Sequence, residues 1–163
     1  MSAVTEPATC PLRAFQRYVC WRTVWRRCIG NGDNHWSRER RKEVLMNPVA
    51  ILVLADTQTH GDLGRVVNAM MVAKELKEAG DDVQIIFDGA GTQWLGELSD
   101  TQHKSHRLFE QVRDVVSGAC GYCARAFDAE EGVAHAEVKV LEEYHDHPSI
   151  RGLLTSGYQV ITF

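Results

Sequence analysis

The chain has 163 residues, 44% hydrophobic and 25% charged, with a formal net charge of -4. That is enough chain for one domain with its own core, and the composition is ordinary for a globular protein. No apolar run approaches the roughly 20 residues of a membrane span, and the N-terminus lacks the apolar segment of an export signal. We therefore expect no membrane partner and a cytoplasmic location. Five cysteines without such a signal do not read as a disulfide framework. In a reducing compartment a CxxC pair is more often reactive or metal-binding than structural.

The charge changes sign within the chain. Residues 1–45 hold nine Lys/Arg against four Asp/Glu, and residues 46–163 hold nine against eighteen. A shift this sharp marks a boundary. The first segment contains Trp21, Trp25 and Trp36, and Gly30 to Asn34 breaks any helix begun by Phe15 and Val19. Cys10, Cys20 and Cys28 stand ten and eight apart, which fits no common zinc spacing. A basic stretch can bind nucleic acid or an anionic membrane, or address an organelle. Our reading is an extension outside the working domain, disordered or absent from the native protein. Met46 directly precedes a clean strand, and a start there gives a complete domain of 118 residues. No nucleic-acid partner is expected.

Pro48 to Ala55 is a continuous apolar run of strand length, as a strand buried on both faces requires. The polar turn Asp56 to Gly61 comes next. Loops after strand C-termini line the crevice of an open parallel sheet, so His60 and Asp56 are placed where function can use them, with Asp56 a binding candidate. Its competing role, shared with Thr59, is to cap the next helix. Leu63, Val66, Val67, Met70, Ala73 and Leu76 recur every three or four residues and predict a helix over 62–79, with Gly80 closing it in the left-handed region. Asp82 to Phe87 is the second strand, completing a right-handed βαβ unit. It runs into Asp88-Gly-Ala-Gly-Thr92. Gly89 and Gly91 permit close backbone approach, which makes Asp88, Gly89 and Gly91 binding candidates. The third glycine of a dinucleotide fingerprint is absent, and the loop comes after the second strand rather than the first. No nucleotide or other cofactor is expected, and Asp88-Gly89 reads as a turn.

Thr92 to Leu98 predicts a short helix with Trp94 and Leu95 inward, and His103 to about Val116 another. The Val115-Val116 pair is equally able to open a third strand. His103 and His106, beside Lys104 and Arg107, read as solvent-facing. Then comes Ser117-Gly-Ala-Cys-Gly-Tyr-Cys-Ala-Arg-Ala-Phe127, the stretch that carries chemistry. Of two thiols three positions apart, one can act as a nucleophilic thiolate and the other can resolve what it picks up. A cysteine at a helix start meets unpaired N–H groups and the positive end of the dipole, which favours thiolate and lowers its pKa. Arg125 adds charge, Tyr122 joins the binding candidates, and Phe127 is expected to anchor the helix in the core.

Glu130 to Tyr144 reads as two short helical pieces separated at Gly132. His145-Asp-His-Pro148 is a second polar cluster. A metal site from Cys120, Cys123, His145 and His147 lacks the histidine spacing of a zinc finger, so no metal is expected. Asp146 or His147 reads as a helix cap ahead of Pro148, with His147 kept as a binding candidate. Ser149 to Leu154 gives a short helix and Tyr158 to Phe163 a last strand. The alternation predicts an α/β domain of three α/β/α layers around a mainly parallel sheet of four to five strands.

Five stretches carry a family likeness: Val49-Ala-Ile-Leu-Val-Leu54, Phe87-Asp-Gly-Ala-Gly91, Gly118-Ala-Cys-Gly-Tyr-Cys-Ala124, His147-Pro-Ser149 and Gly157-Tyr-Gln-Val-Ile-Thr-Phe163. Through them residues 46–163 resemble the DsrE/DsrF-like sulfur-relay family; residues 1–45 do not. The resemblance implies a flavodoxin-like or Rossmann-like fold, a homo-oligomer, and persulfide chemistry at a cysteine after the third strand. A donor protein or small sulfane-sulfur compound supplies sulfur, and an acceptor receives it. Cys120 and Cys123 both lie in the matching region; we assign the persulfide to Cys120 and a resolving or supporting role to Cys123. Three alternatives stay open: a dithiol/disulfide redox protein, a non-catalytic α/β binding module whose cysteines are small buried residues, and, behind these, metal binding.

Overall fold

A computed structural model describes residues 48–163, so the expectations for residues 1–45 lie outside it. Five strands form one all-parallel sheet in the order β4-β3-β2-β1-β5. These are β1 (Val49–Val53), β2 (Val83–Phe87), β3 (Val116–Cys120), β4 (Val140–Leu141) and β5 (Gln159–Thr162). The helices are α1 (His60–Ala79), α2 (Trp94–Ser99), α3 (His106–Val112), α4 (Gly121–Ala126), α5 (Glu130–His135) and α6 (Ile150–Thr155).

Side-chain alternation builds the layers. Val49, Ile51 and Val53 of β1, with Val83, Ile85 and Phe87 of β2, join a core with Val66 and Met70 of α1, Leu95 and Leu98 of α2, and Phe109 of α3. The opposite face sends Leu52, Ile86 and Leu141 against Ile150 and Leu153 of α6. The fold is therefore the expected three-layer α/β/α arrangement. β1 is buried at every position, which explains its unbroken apolar run. Phe87 and Phe109 are fully buried, and each such side chain stabilises the fold by about 1.5–3 kcal/mol.

Thr59, rather than Asp56, caps α1. Its hydroxyl accepts the Asp62 N–H at 3.1 Å while the Asp62 carboxylate accepts the Thr59 N–H at 3.2 Å, a reciprocal capping box. Gly80 ends the helix at φ 84°, as expected.

Several boundaries differ from the sequence expectation. The predicted helix to Val116 is cut to His106–Val112, and a 3-10 turn feeds the third strand at Val116. His106 is not solvent-facing: its Nδ1 donates to the Leu98 carbonyl at 2.8 Å. Gly132 lies inside α5 instead of dividing two pieces. There it lets α5 approach α2, since a Cβ would sit 2.9 Å from the Gly96 Cα. The short β4 lies within the stretch read as helical, because two residues are too few to show a period. Phe127 is 39% exposed and lies outside both core clusters, so it is not the core anchor its spacing suggested. Ser149 caps α6 by accepting the Gly152 N–H at 3.1 Å, so neither Asp146 nor His147 is the cap.

Candidate functional site

Parallel strands end together, and the loops beyond their C-termini share one edge of the sheet. Asp88 directly succeeds β2, Cys120 ends β3, Cys123 sits in the first turn of α4, and His147 lies in the connection from β4 to α6. One donor atom from each of the four lies within 4.8 Å of the others. Both cysteines are free thiols, and both are buried.

A tight turn brings His147 in. Tyr144 and His147 exchange backbone hydrogen bonds, N–H to carbonyl at 2.9 Å and 3.0 Å. Between them His145 and Asp146 have φ of 49° and 64°, the left-handed pair of a two-residue hairpin turn. Helix α4 holds this turn at two points. The Asp146 carbonyl accepts the Tyr122 N–H at 2.8 Å. The Asp146 carboxylate accepts from Arg125 Nη2 at 2.8 Å, while Arg125 Nη1 donates to Glu142 at 3.0 Å. The imidazole of His147 then lies against the Tyr122 ring, centroids 4.8 Å apart, with its Nδ1 3.1 Å from Cys120 Sγ.

Cys120 is the N-cap of α4, and its sulfur accepts the Cys123 N–H at 3.4 Å. The expected lowering of its pKa does not occur. Burial, the largest influence, pushes the Cys120 thiol well above the ordinary range. The Asp88 carboxylate adds to the rise by hydrogen bond and by charge, and the Cys123 N–H opposes it only in part. Cys123 is also raised, first by burial and then by Asp88, against hydrogen bonds from Cys120 and the Gly89 backbone. At rest both sulfurs are thiols, because removal from water and the neighbouring Asp88 carboxylate outweigh the hydrogen bonds that favour thiolate.

The structure thus gathers Asp88, Cys120, Tyr122, Cys123 and His147. Gly89 stands at the margin at φ 56°, donating its N–H to the Asp88 carboxylate at 2.8 Å. Gly91 serves packing: a Cβ there would sit 2.1 Å from the Val53 carbonyl oxygen. Asp56 does not belong to the cluster. Its carboxylate accepts the Thr57 N–H at 2.6 Å, and its carbonyl accepts from Trp94 Nε1 at 3.1 Å. His145 packs edge-on against Tyr144 instead of joining His147. The sequence reading missed the union of Asp88 with the thiols. The available signal was positional, since Asp88 and Cys120 close consecutive strands.

No described helix is long and apolar enough to cross a membrane. No family model matches the chain, and no solved structure matches it. A relative does: the uncharacterized protein MJ0733 of Methanocaldococcus jannaschii is 31% identical over 96 residues, spanning 59% of this chain and 78% of the relative. At that identity and coverage, the chain belongs to the same family as MJ0733.

Proposed function

We propose that the protein carries sulfane sulfur as a persulfide on Cys120 and passes it to an acceptor, the role implied by its resemblance to the DsrE/DsrF-like sulfur-relay family. The observation that supports this reading is the 3.1 Å contact between Cys120 Sγ and His147 Nδ1. A thiol held protonated by burial needs a local base to become a nucleophile. His147 takes the Cys120 proton, and the resulting thiolate attacks the outer sulfur of a donor persulfide, R–S–SH. The new sulfur–sulfur bond forms on Cys120 as the donor's own breaks, and the leaving thiolate recovers the proton from His147. Cys120 gains one sulfur atom, the donor becomes R–SH, and no outside oxidant is consumed. Cys123 lies in the same cluster and supports the sulfur anion. Cys120 is wholly covered, so a donor reaches it only when the site opens.

The proposed setting is the reducing cytoplasm, and the proposed form is a homo-oligomer. Exposed Leu54, Met71 and Ile161 are apolar surface available for assembly.

Mass spectrometry of the reduced protein after incubation with inorganic polysulfide tests the reading. The expected product carries one added sulfur on the Cys120 peptide, is absent from C120S and persists in C123S. No sulfur gain on either cysteine sinks the proposal. The closeness of the two sulfurs favours one second reading, a dithiol/disulfide couple. That reading predicts loss of two hydrogens with no added sulfur.

A further inference from the structure

The geometry points to a zinc site formed by Asp88, Cys120, Cys123 and His147. They are the one group of three or more metal-ligating side chains found to converge among the described residues. Their chemistry is that of a tetrahedral zinc centre: two sulfurs, one imidazole nitrogen and one carboxylate oxygen. Thiolates select against magnesium and calcium, which take oxygen. Zinc–sulfur bonds of about 2.3 Å and zinc–nitrogen or zinc–oxygen bonds of about 2.0–2.2 Å require neighbouring ligands to stand about 3.3–3.8 Å apart. The four donors already lie within 4.8 Å of one another, so the widest pair closes by about 1 Å.

The arms come from the ends of two adjacent strands, one helix start and the turn beyond β4, which α4 holds by the Tyr122 N–H and by Arg125. The surroundings suit bound ligands as well. The Cys123 N–H donates to Cys120 Sγ at 3.4 Å, and the Tyr122 ring fixes the plane of His147. Histidine spacing along the chain misses such a site, because its ligands come from separate elements of the fold rather than from a finger.

Binding displaces the two thiol protons to solvent, and nothing is oxidised or reduced. Zinc then holds both sulfurs as thiolates and closes them to an incoming sulfane sulfur. Metal binding and sulfur carriage therefore exclude each other at any moment. The zinc site does not rest on the sulfur-carrier reading: a protein that takes up no sulfur still binds the ion.

Cobalt titration of the full chain, chelator-treated and reduced with a phosphine, reads the site by absorbance. The expected result is one tightly bound ion per chain, with a thiolate-to-cobalt charge-transfer band and the strong visible bands of four-coordinate cobalt. Zinc abolishes both. The C10S/C20S/C28S variant keeps the spectrum, and C120S/C123S loses it. D88N and H147Q weaken binding at least about tenfold. No thiolate–cobalt band in the reduced full chain overturns the site, as does a band that survives C120S/C123S or one lost in C10S/C20S/C28S. Alkylation of the unsubstituted protein does not depend on variants folding. Zinc is expected to slow modification of Cys120 and Cys123 at least about tenfold; equal rates with and without zinc overturn the proposal.

Discussion

The Nδ1 atom of His147 lies 3.1 Å from the sulfur of Cys120, across 27 residues of chain. The contact exists because β3 and β4 run side by side and the Tyr144–His147 turn folds back over α4. In the proposed mechanism this contact makes His147 the group that takes the thiol proton. H147Q is expected to slow persulfide formation on Cys120 at neutral pH by about 100-fold or more, the usual scale of a lost general base. Quenched-flow mass spectrometry measures the rate. An unchanged rate would mean that another group takes the proton.

Both thiols hold their protons more tightly in the folded protein than in the unfolded chain. Their contribution to stability is therefore fully present below the ordinary thiol pKa of about 8.5 and is lost as pH rises through the raised folded values. In chelator-treated protein the thermal midpoint should fall as the solution is made alkaline above about pH 8.5. C120A/C123A should show a smaller fall. Equal slopes in the two proteins would remove the thiols from the account.

The Asp88 carboxylate helps hold both thiols protonated. D88N should therefore raise the alkylation rate of Cys120 and Cys123 in metal-free protein at fixed pH, with the midpoint of each pH profile displaced downward. Peptide mapping after timed iodoacetamide treatment reads this directly. A slower reaction in D88N contradicts the electrostatic role.

Gly91 separates a packing role from a ligand role. Its missing side chain leaves room for the Val53 carbonyl, and a Cβ would overlap that oxygen. G91A should lose about 1–3 kcal/mol or more in urea denaturation. T59A, which removes the cap of α1, should lose about 1 kcal/mol. A stable G91A with altered cobalt binding would return Gly91 to the site.

The layered fold was legible because its largest parts carry strong periods. β1 is apolar throughout, and Leu63, Val66, Met70 and Ala73 mark one face of α1. Cys120 and Cys123 were legible as a pair, and His147 as a candidate. Their protonation was not, because it depends on burial and on Asp88, neither of which has a local sequence signature. The α6 cap was misread for a related reason. Asp146 and His147 are polar residues beside Pro148, but Arg125, Tyr122 and Cys120 claim them from across the fold, leaving Ser149 to cap the helix. Phe127 failed as an anchor because spacing within α4 does not reveal which flank of so short a helix meets solvent.

The outermost strand beside the thiols is only two residues long and meets β3 at two positions, Ala119 with Val140 and Cys120 with Leu141. So brief a pairing belongs to the part of a protein that frays first. Its release would carry the imidazole away while both sulfurs stayed on the intact body of the domain. The imidazole thus depends on the smallest pairing of the sheet, while both sulfurs sit on its larger body.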